Sequence, residues 1–240
     1  IVDILRGGAL DETVKWPPQT PEAAVHLEHW MTVTSEGALN SLFASKALEK
    51  VHKLLDVGGG DGTIALALTK QYNGLKTIEP AMQASVFNLP NSAALARKNI
   101  AQHSCSANRD CVTVIEGDFI KDATLPGGHD CVMFSRVLAD WSPDHCSLML
   151  KKARDALVGN GHKTGSKGRL IISEPLLEGN RNLSLSWEYR YIFSDTFGKA
   201  CYKSVDTYVD ILTKLGFTIA SITPMSDDNF YTVIAADIDI

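Results

Sequence analysis

The segment Leu54-Leu55-Asp56-Val57-Gly58-Gly59-Gly60-Asp61-Gly62-Thr63 constrains this chain more than any other. The apolar run Val51–Val57 reads as a buried strand, and Thr63–Gln71 reads as a helix. Between them, four of five positions are glycine. Glycine admits positive φ and lets another molecule approach the backbone closely. The free N–H groups where the helix starts favour an anionic group. A strand, a glycine turn and a helix in that order make one unit of an α/β sheet with a binding turn. The spacing narrows the ligand. A dinucleotide fingerprint needs G-x-G-x-x-G. This turn is Gly58-x-Gly60-x-Gly62, with Thr63 where the third glycine would stand.

The rest of the chain alternates in the same way. Thr20-Pro21-Glu22 opens a helix, with proline at the first helical position. Strands are predicted at Ser85–Asn88, Val112–Glu116, Cys131–Phe134 and Arg169–Ser173. Helices are predicted at Ser92–His103, Pro143–Leu157, Asn182–Phe197 and Ser204–Leu215. Thr218–Pro224 and Phe230–Ala235 close the chain as two strands joined by Ser226-Asp227-Asp228-Asn229. Strands separated by helices imply right-handed crossovers and a mostly parallel sheet covered on both faces. A link of a few residues cannot make a crossover, so the last two strands are antiparallel. The prediction is a doubly wound, mostly parallel seven-stranded sheet ending in an antiparallel hairpin.

Candidate site residues follow the strands. Asp56 ends the first strand, just before the turn. An acid at the end of the second strand, about 20 residues on, grips ribose hydroxyls in folds of this kind. Glu79 suits that role by chemistry, and Asn88 suits it by its position before the next helix; both stay open. Asp118, in Glu116-Gly117-Asp118-Phe119, is placed to accept from an adenine amino group, with Phe119 flanking the ring.

Four motifs occur in order. They are Leu55-Asp56-Val57-Gly58-Gly59-Gly60-Asp61-Gly62, Glu116-Gly117-Asp118-Phe119, Ser135-Arg136-Val137-Leu138-Ala139-Asp140-Trp141 and Gly168-Arg169-Leu170-Ile171-Ile172-Ser173-Glu174-Pro175. Together they resemble the plant caffeate-type and hydroxyindole O-methyltransferases, with their relatives in bacterial secondary metabolism. The resemblance runs from about residue 25 to the end. It implies a Rossmann-like methyltransferase fold with S-adenosylmethionine as methyl donor and S-adenosylhomocysteine as product. The glycine turn would hold the methionine portion of the donor, and Ser135, Arg136 and Trp141 would border it. Asp140 and Glu174 would sit at the reaction centre. The helix carrying Trp187 and Tyr191 would line the pocket for a small-molecule acceptor. Residues 1–45 would connect to an N-terminal dimerisation region, with residues 46–240 as the donor-binding domain and a homodimer as the full-length state.

Two departures matter. The plant enzymes place a catalytic histidine immediately before the Asp-Trp pair, and Ala139 stands there. A second family acid follows a Gly-Lys pair, whereas Gly198-Lys199 is followed by Ala200. Ala139 cannot take a proton from a phenol. Glu174 remains, and His145 reads as a surface residue of the next helix. The activated sulfonium and an aligned nucleophile still permit transfer. A hydroxyl, nitrogen or carbon nucleophile of an aromatic or polyketide-like molecule is therefore expected as acceptor. The alternatives are a family member turned to hydroxylation and a non-catalytic cofactor-binding module.

Composition excludes other classes. The net charge is −5, and no basic field suits nucleic acid. The most basic stretch, Gly161–Arg169, reads as a surface loop. No apolar run approaches the roughly 20 residues of a membrane span. The five cysteines match no metal motif. Cys131 and Cys146 read as buried thiols, and Cys105 and Cys111 are close enough in sequence to pair in an oxidising compartment; the cytoplasm is the expected location. The chain opens on Ile1 rather than Met, which reads as a start within a longer protein.

Overall fold

The computed structural model describes residues 18, 20–74, 81–103, 111–159, 166–178, 202–226 and 231–240. Two helices come first, α1 (Pro21–Val33) and α2 (Ser35–Ser45). The Thr20 hydroxyl caps α1 by accepting from the Ala23 amide at 3.2 Å, with Pro21 at the first position, where its missing N–H costs nothing. Then follow β1 (Lys53–Val57), α3 (Thr63–Gly74), β2 (Gln83–Asn88), α4 (Pro90–His103), β3 (Val112–Glu116) and β4 (Cys131–Ser135). After β4 a 3₁₀ turn (Leu138–Asp140) leads to α5 (Pro143–Val158) and β5 (Lys167–Glu174). The last described elements are α6 (Val205–Lys214), β6 (Thr218–Thr223) and β7 (Thr232–Asp239).

The seven strands lie in the order β3-β2-β1-β4-β5-β7-β6. The pairs β1–β2, β2–β3, β1–β4 and β4–β5 are parallel, whereas β7 runs antiparallel to both β5 and β6. This is the predicted doubly wound sheet with its closing hairpin.

Side chains alternate along each strand and feed two cores. In β4, Cys131 and Met133 face the layer that holds α2, α3 and α4, whereas Val132 and Phe134 face α5 and α6. Leu54 and Leu55 of β1, and Ile171 and Ile172 of β5, divide in the same way. All five residues of β4 are buried, as a central strand covered on both faces requires. Helix α2 belongs to the first core through Ala38 and Leu42.

The predicted strands hold to within a few residues, with one difference of substance. β5 opens at Lys167, so the basic stretch ending at Arg169 is not loop over its last residues. Arg169 donates to both carboxylate oxygens of Asp237 (2.8 and 3.0 Å) and to the Ala47 carbonyl (2.8 Å). With its fork so paired across the strands, the pairing with β7 extends to Lys167 opposite Asp239. Cys131 and Cys146 are buried, as expected. Cys105, Cys201, the expected helix Asn182–Phe197 and most of the link between β6 and β7 lie outside the described residues. Among the described residues no helix is long and apolar enough to cross a membrane.

Phe134 fills the core between β4 and α5. Phe134→Ala is expected to cost about 3–5 kcal/mol in urea unfolding, because the cavity cannot collapse around a central strand.

Candidate functional site

In a parallel sheet, ligands bind beyond the carboxyl ends of the strands, where the strand order reverses. Here that point is the gap between β1 and β4. A cleft of about 550 Å³ opens there.

The glycine turn forms its floor. Gly58, Gly60 and Gly62 have φ of 71°, 58° and 82°, so glycine is demanded by conformation at all three. Space adds to this at Gly58, and at Gly60 a side chain would have to displace the Glu28 carboxyl. A Cβ on Gly58 would lie 2.8 Å from Val137 Cγ2, and one on Gly60 would lie 2.5 Å from Glu28 Oε2. Asp56 precedes the turn at 1% exposure, and its Oδ2 has no hydrogen-bond partner among the described residues. Burial pushes its carboxyl up to about 7, against the pull of the Arg136 guanidinium.

Asn88 lines the cleft at the end of β2. Its Oδ1 accepts from the Leu89 amide at 2.8 Å and its Nδ2 donates to the Gly60 carbonyl at 3.4 Å. Glu79, the other candidate for a ribose, lies outside the described residues. Asp118 and Phe119 also line the cleft, just after β3. Asp118 Oδ1 accepts from the amides of Ile120 (2.9 Å) and Lys121 (3.1 Å). Partial burial pushes the Asp118 carboxyl up, but these amides and the Lys121 ammonium outweigh it and hold the group below its ordinary value.

The opposite wall is the segment after β4. Ser135, Arg136, Ala139, Asp140 and Trp141 all border the cleft. Arg136 has φ 61°, and its guanidinium donates to the Met31 carbonyl (2.6 Å), the Thr34 carbonyl (3.2 Å) and the Thr34 hydroxyl (2.9 Å). It thereby ties the α1–α2 junction to the sheet. The Trp141 ring meets Phe119 edge to face, with centroids 5.7 Å apart. His145 is exposed at the start of α5, with Nδ1 2.8 Å from the Ser142 hydroxyl. It is the expected surface helix residue.

Glu174 ends β5 fully buried. Its Oε1 accepts from the amides of Val137 and Leu138, both at 2.7 Å, and its Oε2 has no partner among the described residues. Burial pushes this carboxyl up to about 8, although the amides of Leu138 and Val137 and the Lys203 ammonium pull it down. Trp187 and Tyr191, the expected acceptor-pocket residues, and Ala200 lie outside the described residues.

Three residues of this region went unnoticed in the sequence. Glu28 reaches from α1 to the glycine turn, where the Ser92 hydroxyl and the Asp61 amide bond its carboxylate; burial dominates and raises its pKa. Lys152 on α5 and Lys203 before α6 send buried ammonium groups to the loops that follow β3 and β4. Glu28 and Lys203 belong to no motif. Lys152 did carry a signal, since it shares a helical face with Met149 and Ala153.

Six acidic residues line the cleft against the half-buried Arg136 and the exposed Lys121, a balance suited to a ligand with positive charge. Among the described residues no group of three or more His, Cys, Asp or Glu could hold a metal ion.

A family model of the O-methyltransferase domain matches residues 18–218. Bacteriochlorophyllide d C-20 methyltransferase of Chlorobaculum tepidum is 28% identical over 206 residues, which is 85% of this chain and 55% of that protein. L-tyrosine C(3)-methyltransferase of Streptomyces lavendulae is 30% identical over 201 residues, 83% of this chain and 50% of that protein. The chain thus spans about half the length of these curated relatives. Among solved structures, the S-adenosylmethionine-dependent methyltransferase SibL in its apo form superposes with a TM-score of 0.69 at 26% identity, over 93% of this chain and 60% of that one.

The buried acids predict a pH dependence. Glu174 and Asp56 titrate higher in the folded chain than when unfolded, so between the two values the folded state holds more protons. Their contribution to stability is full at low pH and is lost as pH rises through about 7 for Asp56 and about 8 for Glu174. Glu174→Gln keeps an acceptor for both amides and cannot ionise. Its melting temperature is expected to fall less than that of the native chain between pH 5 and pH 8 (a roughly three-unit window), as thermal melts would record.

Proposed function

The chain belongs to the O-methyltransferase domain family, and from that premise we propose that it transfers a methyl group from S-adenosylmethionine to a hydroxyl, nitrogen or carbon of an aromatic or polyketide-like small molecule. One observation carries the reading. Three glycines of positive φ form the floor of a carboxylate-lined cleft at the reversal of strand order, directly after a buried Asp56 whose Oδ2 lacks a partner. That arrangement fits a ligand that needs close backbone approach and bears positive charge.

When bound, the donor supplies a methyl group already activated by a sulfonium. The residues of this chain then have limited tasks. Gly58, Gly60 and Gly62 receive the methionine portion. Asn88 or Glu79 holds the ribose, and Asp118 accepts from the adenine amino group while Phe119 flanks the ring. Ser135, Arg136 and Trp141 form the facing wall, with Asp140 and Glu174 next to the reacting atoms. The family resemblance alone supports Trp187 and Tyr191 as contacts of the acceptor. Proximity and exclusion of water provide much of the acceleration in such a displacement. The chain's own residues would align the acceptor's nucleophilic atom on the methyl carbon, whose bonding pair to sulfur stays with the donor, and leave the acceptor's proton a path to a base or to solvent.

Ala139 narrows the acceptor. With no imidazole at this position, the reading favours an acceptor that needs little help from a base, such as an acidic phenol or enol, an amine, or a carbon activated by its own ring. The names of the two curated relatives, which describe methylation at carbon, support including carbon. Ala139 is also the observation behind the second reading, a domain that binds the donor and performs hydroxylation or no reaction at all. The family resemblance further supports residues 1–45 as the connection to a dimerisation region and a homodimer as the full-length state. The reading of Cys131 and Cys146 as buried thiols supports a cytoplasmic location.

Calorimetric titration tests the donor assignment. Saturable binding of S-adenosylmethionine and none of NADH is expected; a folded chain that ignores the former overturns it. Gly60→Ala, which drives a Cβ against Glu28, is expected to weaken donor binding by about tenfold or more while the chain still folds, consistent with strain of about 1–3 kcal/mol at a position of positive φ. An acceptor screen read by mass spectrometry separates the chemistries, since methylation adds CH₂ and hydroxylation adds oxygen.

A further inference from the structure

Both walls of the cleft are loops that leave a parallel strand without entering a helix at once. Such loops carry carbonyls outside the sheet ladder, and burying one without a donor is costly, although the Leu138 carbonyl also accepts from the Trp141 amide and the Cys146 thiol. In each wall those carbonyls turn inward and meet the same group. Lys152 Nζ donates to the carbonyls of Phe119 (2.9 Å), Ile120 (2.9 Å) and Asp122 (2.6 Å). Lys203 Nζ donates to the carbonyls of Leu138 (2.8 Å), Ala139 (3.3 Å) and Trp141.

The match is chemical as well as geometric. An ammonium offers three donors and no acceptor, so three converging carbonyls use its full capacity. Lys152 is 9% exposed and Lys203 3%. Neither is ion-paired to a carboxylate among the described residues. A buried ammonium with no carboxylate in direct contact is expensive unless its hydrogen bonds are complete, and Lys203 meets Glu174 only through its longer-range attraction. Each lysine is therefore tied to its loop as firmly as the loop is tied to it. In the second wall the arrangement is two-sided. Glu174 takes the amides at residues 137 and 138, and Lys203 takes the carbonyls at 138, 139 and 141. A carboxyl group thus sits where the short turn begins and an ammonium where it ends, each bonded to the backbone groups the turn leaves over.

The two clamped loops meet at their tips, through Phe119 of one and Trp141 of the other. Both rings border the cleft. We propose that Lys152 and Lys203 are a pair of positioning residues, one for each wall of the donor cleft, which hold Phe119 and Trp141 at the spacing that S-adenosylmethionine requires. Neither touches the ligand; each acts through the loop it clamps. The inference rests on the donor assignment made above.

Four variants test it: Lys152→Met, Lys203→Met and the two lysine-to-arginine replacements. Methionine keeps the apolar stem and removes the donors. Far-UV circular dichroism and melting establish folding, calorimetry gives affinity for S-adenosylmethionine, and hydrogen exchange with mass spectrometry reads each loop separately. Each methionine variant is expected to weaken binding by about tenfold or more, because charge-assisted bonds to the loop are lost. Exchange should quicken in 118–122 for Lys152→Met and in 137–141 for Lys203→Met, and not in the other loop. The arginine variants should bind within about threefold of the native chain, since guanidinium also donates to several carbonyls. A folded methionine variant that binds within about twofold of the native chain overturns the proposal, as does lost affinity with unchanged exchange in its own loop. If a methionine variant does not fold, the arginine variant decides. A protected loop with retained binding upholds the clamp, and a protected loop with lost binding overturns it. Should the native chain itself not bind S-adenosylmethionine, the donor assignment fails, and exchange in the two loops alone decides whether the lysines clamp them.

Discussion

Everything at the site depends on the parallel pairing of β1 with β4. The chain leaves β1 for a helix on one face of the sheet, and leaves β4 for a helix on the other. The two departing turns therefore diverge, and a crevice opens between them without any side chain having been removed to make it. The turns still touch at their base. Val137, from the turn after β4, lies against Gly58, from the turn after β1, too closely for any Cβ there. The Gly58 amide meanwhile donates to the Phe87 carbonyl of β2 at 2.8 Å. One residue thus belongs to three strands' worth of structure, which explains why its side chain must be a hydrogen atom.

What the sequence allowed to be read was local in origin. The glycine turn was legible because its three positive φ angles are requirements of the backbone itself, stated by residue type at each position. The strands were legible because Cys131–Ser135 and Arg169–Ser173 sit in apolar runs bounded by turns. The start of β5 was not, since Lys167 is held in the sheet by a partner strand 72 positions away in register, Asp239. Glu28, Lys152 and Lys203 escaped for the same reason. Lys151 and Lys152 are adjacent and chemically identical in sequence, yet Lys151 pairs with Asp155 on the surface while Lys152 is buried. Only the helical period separates them, and its meaning appears once the loop above α5 is in place.

The polar groups of the site are satisfied unevenly. The carbonyls of residues 119, 120, 122, 138, 139 and 141 all have donors, and the amides at residues 137 and 138 have an acceptor. The atoms left without partners among the described residues include Asp56 Oδ2 and Glu174 Oε2, which are buried acids. Both titrate upward because burial disfavours their charged forms. A cation entering the cleft would reverse that preference, because a nearby positive charge favours the carboxylate. Ligand charge and proton occupancy are thus linked: a cation that binds there expels protons from these acids near neutral pH.

Arg136 reconciles two demands that residue types seldom meet together. Its backbone sits at φ 61°, where glycine or asparagine would rest more easily, and its guanidinium bridges to the junction of α1 and α2. The bridge is what keeps a strained backbone in place. Its loss would leave residue 136 held left-handed only by its amide's bond to the Ser173 carbonyl and by the neighbouring amides that Glu174 holds, and a relaxing residue 136 would swing those same amides. Helix α1 and the cleft wall are therefore parts of one latch: a displacement of the first helix is felt, through a single bent residue, as a misalignment of the wall on the far side of the sheet's crevice.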